Sequence, residues 1–307
     1  MKIHEKDLVD YAPVLRECAR RLEARAIVLA GEREEAQRLM AGLEALPFAE
    51  REARVRTDPG LATWGIFELL VERSWEAVLA DPGRAEGYAR TALRVAEQLD
   101  PERYPPTLIE DLRARAWACI GNALRVASDL QWARRAFTAA ARHLEQGTGD
   151  PFEQAVLLDL EASLLRDLRR FDEALEHLER AVALFLEERE MHRAGRSLVN
   201  LSTIYEHALM PEEAIPCLYR ALEMIEPEAE PRLLLCASHN LITNLAGAGR
   251  YREARSLYRH ALPLYRSFPE PWFENRRLWV RGKLARASSR PAAAEAFLRA
   301  ARDGFLA

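Results

Sequence analysis

The most constraining feature of this sequence is a pattern that returns about every forty residues. A small–large–small triplet appears as Ala133–Phe137–Ala140, Ala174–Leu178–Ala181, Ala214–Leu218–Ala221, Ala254–Tyr258–Ala261 and Ala294–Leu298–Ala301. The leading alanines lie 41, 40, 40 and 40 residues apart. Before each triplet runs a second stripe: Trp117/Ile120/Gly121/Leu124, Leu158/Glu161/Ala162/Leu165, Leu198/Leu201/Ser202/Tyr205, Ser238/Leu241/Ile242/Leu245 and Leu278/Arg281/Gly282/Ala285. Spacings of three, four and seven put each stripe on one face of an α-helix. The small residues let two helices approach, and the large ones fill the space between them. Polar breaks such as Ser128-Asp129, Arg169 to Glu173 and Ala248 to Glu253 turn the chain back. Gly249 suits a left-handed helix end, and the acids suit the start of the next helix. One pair cannot bury both of its faces, so successive pairs must stack.

The unit Trp117-x2-Ile120-Gly121 followed by Ala133-x3-Phe137-x2-Ala140 resembles the tetratricopeptide repeat. The later units resemble its long-repeat subclass, seen in kinesin light chains and bacterial peptide-sensing regulators. That family has about 34 residues per repeat, so the longer spacing here implies longer helices or linkers. The resemblance implies an all-α fold, a right-handed superhelical solenoid of antiparallel helix pairs. Three regions are expected. Residues 105–307 hold five repeats. Residues 58–104 hold a degenerate pair, with Ala85/Ala89/Ala92 in its second helix. Residues 1–57 form an N-terminal helical segment with no repeat signature, which caps or precedes the solenoid.

Composition removes several function classes. At 49% hydrophobic and 30% charged, the 307-residue chain is too apolar for disorder. No stretch of about eighteen uncharged apolar residues exists to span a membrane, and the start, MKIHEKDLVDYAP, lacks a signal core, so a cytoplasmic protein is expected. Cys18, Cys119, Cys217 and Cys236 lie far apart, which argues against a disulfide framework or zinc knuckle. A net charge of −4 argues against a general nucleic-acid binder. Lysine occurs only at Lys2, Lys6 and Lys283; every other basic residue is arginine. That bias reflects either codon usage or a surface built for bidentate anion contacts. No two histidines are three or four residues apart, and HExxH, GxSxG and phosphate-loop motifs are absent. Gly147-Thr148-Gly149 and Gly247-Ala248-Gly249 read as turns. No catalysis, cofactor or metal is expected.

The helix face opposite the packing stripe carries the functional reading. In tetratricopeptide proteins that face lines a concave groove. Here it comprises Arg115, Asn122 and Arg125; Asp159, Ser163, Arg166 and Asp167; Arg196, Asn200, Thr203, Glu206 and His207; His239, Asn240 and Thr243; and Arg276, Trp279, Lys283 and Arg286. Cations outnumber anions, which fits either a groove for an acidic peptide or an ordinary solvated face. Asn200 and Asn240 occupy the same repeat position. The resemblance implies that they hold a peptide main chain, for which an amide offers both donor and acceptor; the alternative is that they cap a neighbouring loop. Trp272, Arg276, Trp279, Lys283 and Arg286 share one face, and tryptophan beside arginine suits a contact surface. Trp272 and Phe273 equally suit a staple at the helix start. The chaperone-tail subclass clamps a terminal carboxylate at set positions. Asn122 fits one of these, but Ala118 and Leu160 replace the others, so that adaptor role is not expected.

The function expected is a protein–protein interaction scaffold that binds a peptide or protein segment in the groove, without direct nucleic-acid or membrane contact. The alternative is a regulatory sensor or oligomerisation module of a larger bacterial system. Ala293, Ala296, Phe297, Ala300 and Phe305 in the last helix are expected to leave apolar surface, either for a homo-oligomer contact at the C-terminal end or for further sequence.

Overall fold

Prolines and left-handed turn residues set the helix boundaries. In this computed structural model, which describes residues 11–306, Pro82, Pro106, Pro151, Pro211, Pro231 and Pro271 stand in the first turns of their helices. There the missing N–H forfeits no hydrogen bond. The readings placed on Lys2, His4, Lys6 and the chain start fall outside the described residues.

The first unit, residues 1–148, contains α1 (Ala12–Glu44), α2 (Phe48–Thr57), a short 3-10 turn (Pro59–Leu61), α3 (Trp64–Ala77), α4 (Pro82–Gln98), α5 (Pro106–Val126) and α6 (Leu130–Leu144). Within it α3 packs on α4, α4 on α5 and α5 on α6, while α1 lies against α3 and α2 against α4. Only the C-terminal half of α1 is buried, through Glu32, Ala36, Met40 and Leu43. Glu32 accepts hydrogen bonds from Tyr104 Oη at 2.8 Å and from the Gly65 amide at 3.3 Å, and it pairs with Arg103. The core of this unit is built around Ile66, Phe67, Leu70, Tyr88, Leu112 and Ile120.

The second unit, residues 149–307, contains α7 (Pro151–Asp167), α8 (Phe171–Glu187), α9 (Met191–His207), α10 (Pro211–Met224), α11 (Pro231–Gly247), α12 (Tyr251–Ser267), α13 (Pro271–Ala287) and α14 (Pro291–Leu306). Each odd-numbered helix pairs with the next, and the pairs stack. The first helices α7, α9, α11 and α13 also touch one another in sequence, so their outer faces form one continuous wall. The chain is thus the all-α stack of helix pairs that the repeat implied. Of the five repeat pairs, α5/α6 belongs to the first unit and the other four to the second.

The small residues sit where helices meet. Ala174, Ala181, Ala214, Ala221 and Ala254 are fully buried, alongside Leu178, Leu198, Leu218 and Leu241. A Cβ built on Gly282 would lie 2.5 Å from Leu298 Cγ, which fixes how closely α13 and α14 approach. Phe152 and Phe185 meet edge-on, with ring centroids 6.0 Å apart, beside the buried Ala155, Ala181 and Ala194.

One structural feature recurs at repeat spacing without a uniform sequence signal. The turn inside each pair carries a left-handed residue: Ser128 (φ 66°), Arg169 (63°), Leu209 (60°), Gly249 (77°) and Ser289 (54°). The next amide then reaches back five residues to close the helix end, as in Arg170 N to Leu165 O and Met210 N to Tyr205 O, both 2.9 Å. Gly249 takes the expected left-handed role. At the other four turns a side chain occupies that conformation at a cost of about 1–2 kcal/mol each, which the packed pair must offset.

Candidate functional site

Because the repeat is forty residues, equivalent side chains of successive first helices come to lie beside one another on the wall of the second unit. Val199, His239 and Trp279 form one such row, Asn200 and Asn240 a second, Thr203, Thr243 and Lys283 a third, and Cys236 and Arg276 a fourth. These rows, with Arg166 and Glu206, line a groove of about 1350 Å³. Its far side is closed by Leu298, Ala301, Arg302, Phe305 and Leu306 of α14.

The polar groups of the groove form two hydrogen-bonded sets. Asn240 Oδ1 accepts from Arg276 Nη2 at 2.9 Å, and its Nδ2 faces Thr203 Oγ1 at 3.4 Å. Thr203 in turn donates to the Val199 carbonyl at 3.0 Å. Asn200 Nδ2 donates to both carboxylate oxygens of Asp159, at 3.2 and 3.3 Å. Ser197 Oγ also donates to Asp159, at 2.7 Å, and burial lifts that carboxyl above its ordinary range. Both asparagines therefore bridge to the preceding pair rather than capping a loop.

Aromatic rings form the middle of the floor. His239, only 3% exposed, stacks on Trp279 with centroids 6.2 Å apart and shares a 2.7 Å hydrogen bond with Tyr265 Oη. Burial, reinforced by Arg276 and Lys283, pushes the imidazole well below its usual titration range, so it is neutral. Lys283 Nζ lies 3.7 Å above the Trp279 ring, a cation–π contact. Burial lowers the Lys283 ammonium and raises the Glu206 carboxyl, and each opposes the other's shift through their attraction. At one end Arg276 lies over Trp272, which meets Phe305 edge-on at 5.7 Å.

Thr243 stands apart. It lines the groove and is 3% exposed, yet its Oγ1 is buried with no hydrogen-bond partner among the described residues. Thr203, one repeat earlier, has both of its bonds. A buried hydroxyl without a partner is uncommon and calls for a specific reason.

Most of the residues that the sequence singled out are brought together: Arg166, Asn200, Thr203, His239, Asn240, Thr243, Arg276, Trp279 and Lys283 all line this groove. Arg196 is not among its lining residues; it pairs with Glu230, which also accepts from His192. Asn122 and Arg125 lie on α5 in the first unit, where Arg125 Nη2 donates to Asn122 Oδ1 at 2.9 Å. Sequence reasoning passed over Tyr265 because it lies on a second helix. A signal was present: the equivalent positions are Phe185 and Ile225, and a tyrosine replacing a core residue needs a partner for its hydroxyl. Trp272 is 56% exposed and faces Phe305 at 46%, whereas Phe273 is buried, so Phe273 alone anchors the helix start. Phe297 lies under Arg281 at 4.0 Å. Among the described residues no group of three or more His, Cys, Asp or Glu is placed to hold a metal ion, and no helix is long and apolar enough to cross a membrane.

A stack of antiparallel helix pairs with small residues at the crossings and a wall of first helices defines a helical repeat protein. Residues 153–226 and 193–267 match the tetratricopeptide repeat family. No curated protein matches the chain. Solved structures do. BtubC (BKLC) from P. vanneervenii is similar with a TM-score of 0.58 at 17% identity, over 74% of this chain and 92% of that one. Aspartyl phosphate phosphatase F from Bacillus subtilis gives 0.58 at 12% identity, over 87% and 79%. A Rap protein in complex with competence and sporulation factor gives 0.52 at 15% identity, over 90% and 77%. At these identities the likeness is one of fold.

Proposed function

We propose that this chain is a non-catalytic, cytoplasmic protein–protein interaction scaffold, and that the groove of its second unit binds an extended peptide or protein segment. The observation that carries the reading is the groove itself. At about 1350 Å³ it exceeds the roughly 300–1,000 Å³ of small-molecule pockets. Its rows of amide, hydroxyl and aromatic groups offer a peptide donors, acceptors and stacking faces. The Rap structure with its bound factor supports the reading, since a protein of this fold takes a partner. Asn200 Oδ1 has no hydrogen bond among the described residues and is the acceptor for a ligand N–H. Asn240 must share its carbonyl with Arg276 or release it. Arg276 favours an acidic segment, whereas Arg166 is already paired with Asp167.

The test begins with partner capture from the native host, followed by titration of the bound segment as a synthetic peptide. Asn240→Ala and Trp279→Ala should each weaken binding at least fivefold, about 1 kcal/mol. Unchanged affinity in both variants would remove the groove from the interaction. A second reading, self-association through α13 and α14, is favoured by the exposure of Trp272, Phe305 and Leu306. Sedimentation of the full chain with and without Phe305→Ser tests it: a mass that does not change with concentration counts against it.

A further inference from the structure

In the first unit, helix α1 carries an apolar face left uncovered among the described residues. Its C-terminal half is buried on α3 through Ala36, Met40 and Leu43, whereas none of residues 12–31 is buried. Along that free half run Leu15, Cys18, Leu22, Ala26 and Leu29, at spacings of three, four, four and three. At 3.6 residues per turn these five share one face, and Ala36 and Met40 continue the same face into the core. Leu15 is 66% and Leu22 69% exposed, and the Cys18 thiol is free and exposed. The order is large, small, large, small, large. It reads the same in both directions about Leu22.

We infer that the free half of α1 pairs antiparallel with the same segment of a second copy of this chain, about a twofold axis at Leu22. In that register Leu15 meets the partner's Leu29, Leu22 meets the partner's Leu22, and Cys18 meets the partner's Ala26. Alternating large and small layers let two helices approach closely and interdigitate. A twofold contact requires such a self-complementary patch. The charges fit as well. Arg21 comes opposite the partner's Glu23, and the axis repeats that pair. In the free chain Arg21 is held by Glu17 at 2.8 Å, but Glu17 also holds Arg20 at 2.9 Å and keeps it when Arg21 turns away. Arg16, Arg20 and Arg25 fall opposite the partner's Val28, the partner's Ala24 and the partner's Ala19, so no two cations are opposed. A parallel pairing in register would instead set Arg25 against the partner's Arg25. Twenty residues of helix span about 30 Å. They bury an area near the lower bound of specific interfaces, about 1,000 Å², which sets a dissociation constant in the micromolar range. The groove and the exposed surface of α14 both belong to the second unit, so this contact does not depend on either.

The full chain is followed by sedimentation equilibrium from about 1 to 200 μM, a range that brackets a micromolar constant. Circular dichroism confirms that each variant is folded. The wild-type mass should rise from one chain to two. Leu22→Glu places two carboxylates on the axis and should weaken the dimer at least about thirtyfold. Ile27→Glu, at a position 73% exposed but outside the seam, should leave it unchanged. Arg21→Glu should weaken the dimer about fivefold, because the axis counts the pair twice. Adding Glu23→Arg to that variant should restore the wild-type constant, a gain that misfolding cannot mimic. Orientation is read by mild oxidation: Ala26→Cys should join two chains through Cys18, and adding Cys18→Ser should abolish the link. A mass that stays at one chain over the whole range overturns the inference, and so does equal loss with Leu22→Glu and Ile27→Glu. A dimer lost with Phe305→Ser but kept with Leu22→Glu overturns it in favour of a contact through α14. A disulfide between wild-type chains through Cys18 alone overturns the antiparallel register. None of these outcomes touches the groove reading, which Asn240→Ala tests on the captured partner.

Discussion

Thr243→Val should make the protein more stable and its groove worse at binding. In the free protein the Thr243 hydroxyl is buried and makes no hydrogen bond among the described residues. A polar group in that state costs about 1–3 kcal/mol relative to one that is satisfied. Valine has the same branched shape and rotamer restriction, so exchanging the hydroxyl for a methyl removes the penalty and adds apolar burial. The net gain is about 1–2 kcal/mol. At roughly 2–4 °C per kcal/mol for folding units of 150–250 residues, the transition should rise by about 2–8 °C. The control is the same exchange one repeat earlier. Thr203 Oγ1 donates to Val199 O at 3.0 Å and lies 3.4 Å from Asn240 Nδ2, so Thr203→Val should lose about 0.5–1.5 kcal/mol. Both are measured by thermal and denaturant unfolding of the full chain, beside the affinity of the captured peptide. Thr243→Val should weaken that peptide about three- to tenfold, the equivalent of one hydrogen bond. The reasoning is refuted if Thr243→Val destabilises as Thr203→Val does, because the hydroxyl would then be bonded in the free protein.

Three further outcomes are expected. His239 is held neutral by burial and by Arg276 and Lys283, with Tyr265 hydrogen-bonded to it and Trp279 stacked on it. The unfolded state therefore binds the extra proton first as pH drops, and stability is lost below about pH 6.5 with a slope of up to roughly 1.4 kcal/mol per pH unit. That slope should flatten in His239→Gln, and an identical pH profile in the variant would contradict the assignment. Leu209, 87% exposed with φ 60°, can become glycine with little packing lost. Leu209→Gly should raise stability by about 0.5–1 kcal/mol, since the relieved backbone cost exceeds the added unfolded-state entropy; a drop in denaturation midpoint would count against it. Gly282→Ala should cost about 1–3 kcal/mol by forcing Leu298 away, read as a lower midpoint that Leu298→Ala partly restores.

Much of this architecture was written locally in the chain. The spacing of Ala174, Leu178 and Ala181, repeated at Ala214, Leu218 and Ala221, sets which helix face is apolar and how closely the pairs approach, because helix periodicity is a property of neighbouring residues. The same arithmetic placed nine of the twelve candidate site residues on one wall, since positions forty residues apart repeat the same orientation. What lay beyond the sequence was which group each side chain would meet. Asn200 and Asn240 look alike in the chain, yet one donates to a buried Asp159 and the other accepts from Arg276. Arg166 and Arg196 look like equivalent groove cations, yet only Arg166 lines it, while Arg196 pairs with Glu230. Four of the turns inside the helix pairs take left-handed residues without glycine, because pair packing dictates a backbone that local preference resists. Thr203 and Thr243 differ only in what surrounds them. A hydrogen bond needs two groups within about 3 Å, and partners thirty to forty residues apart reach that distance only when the pairs have stacked.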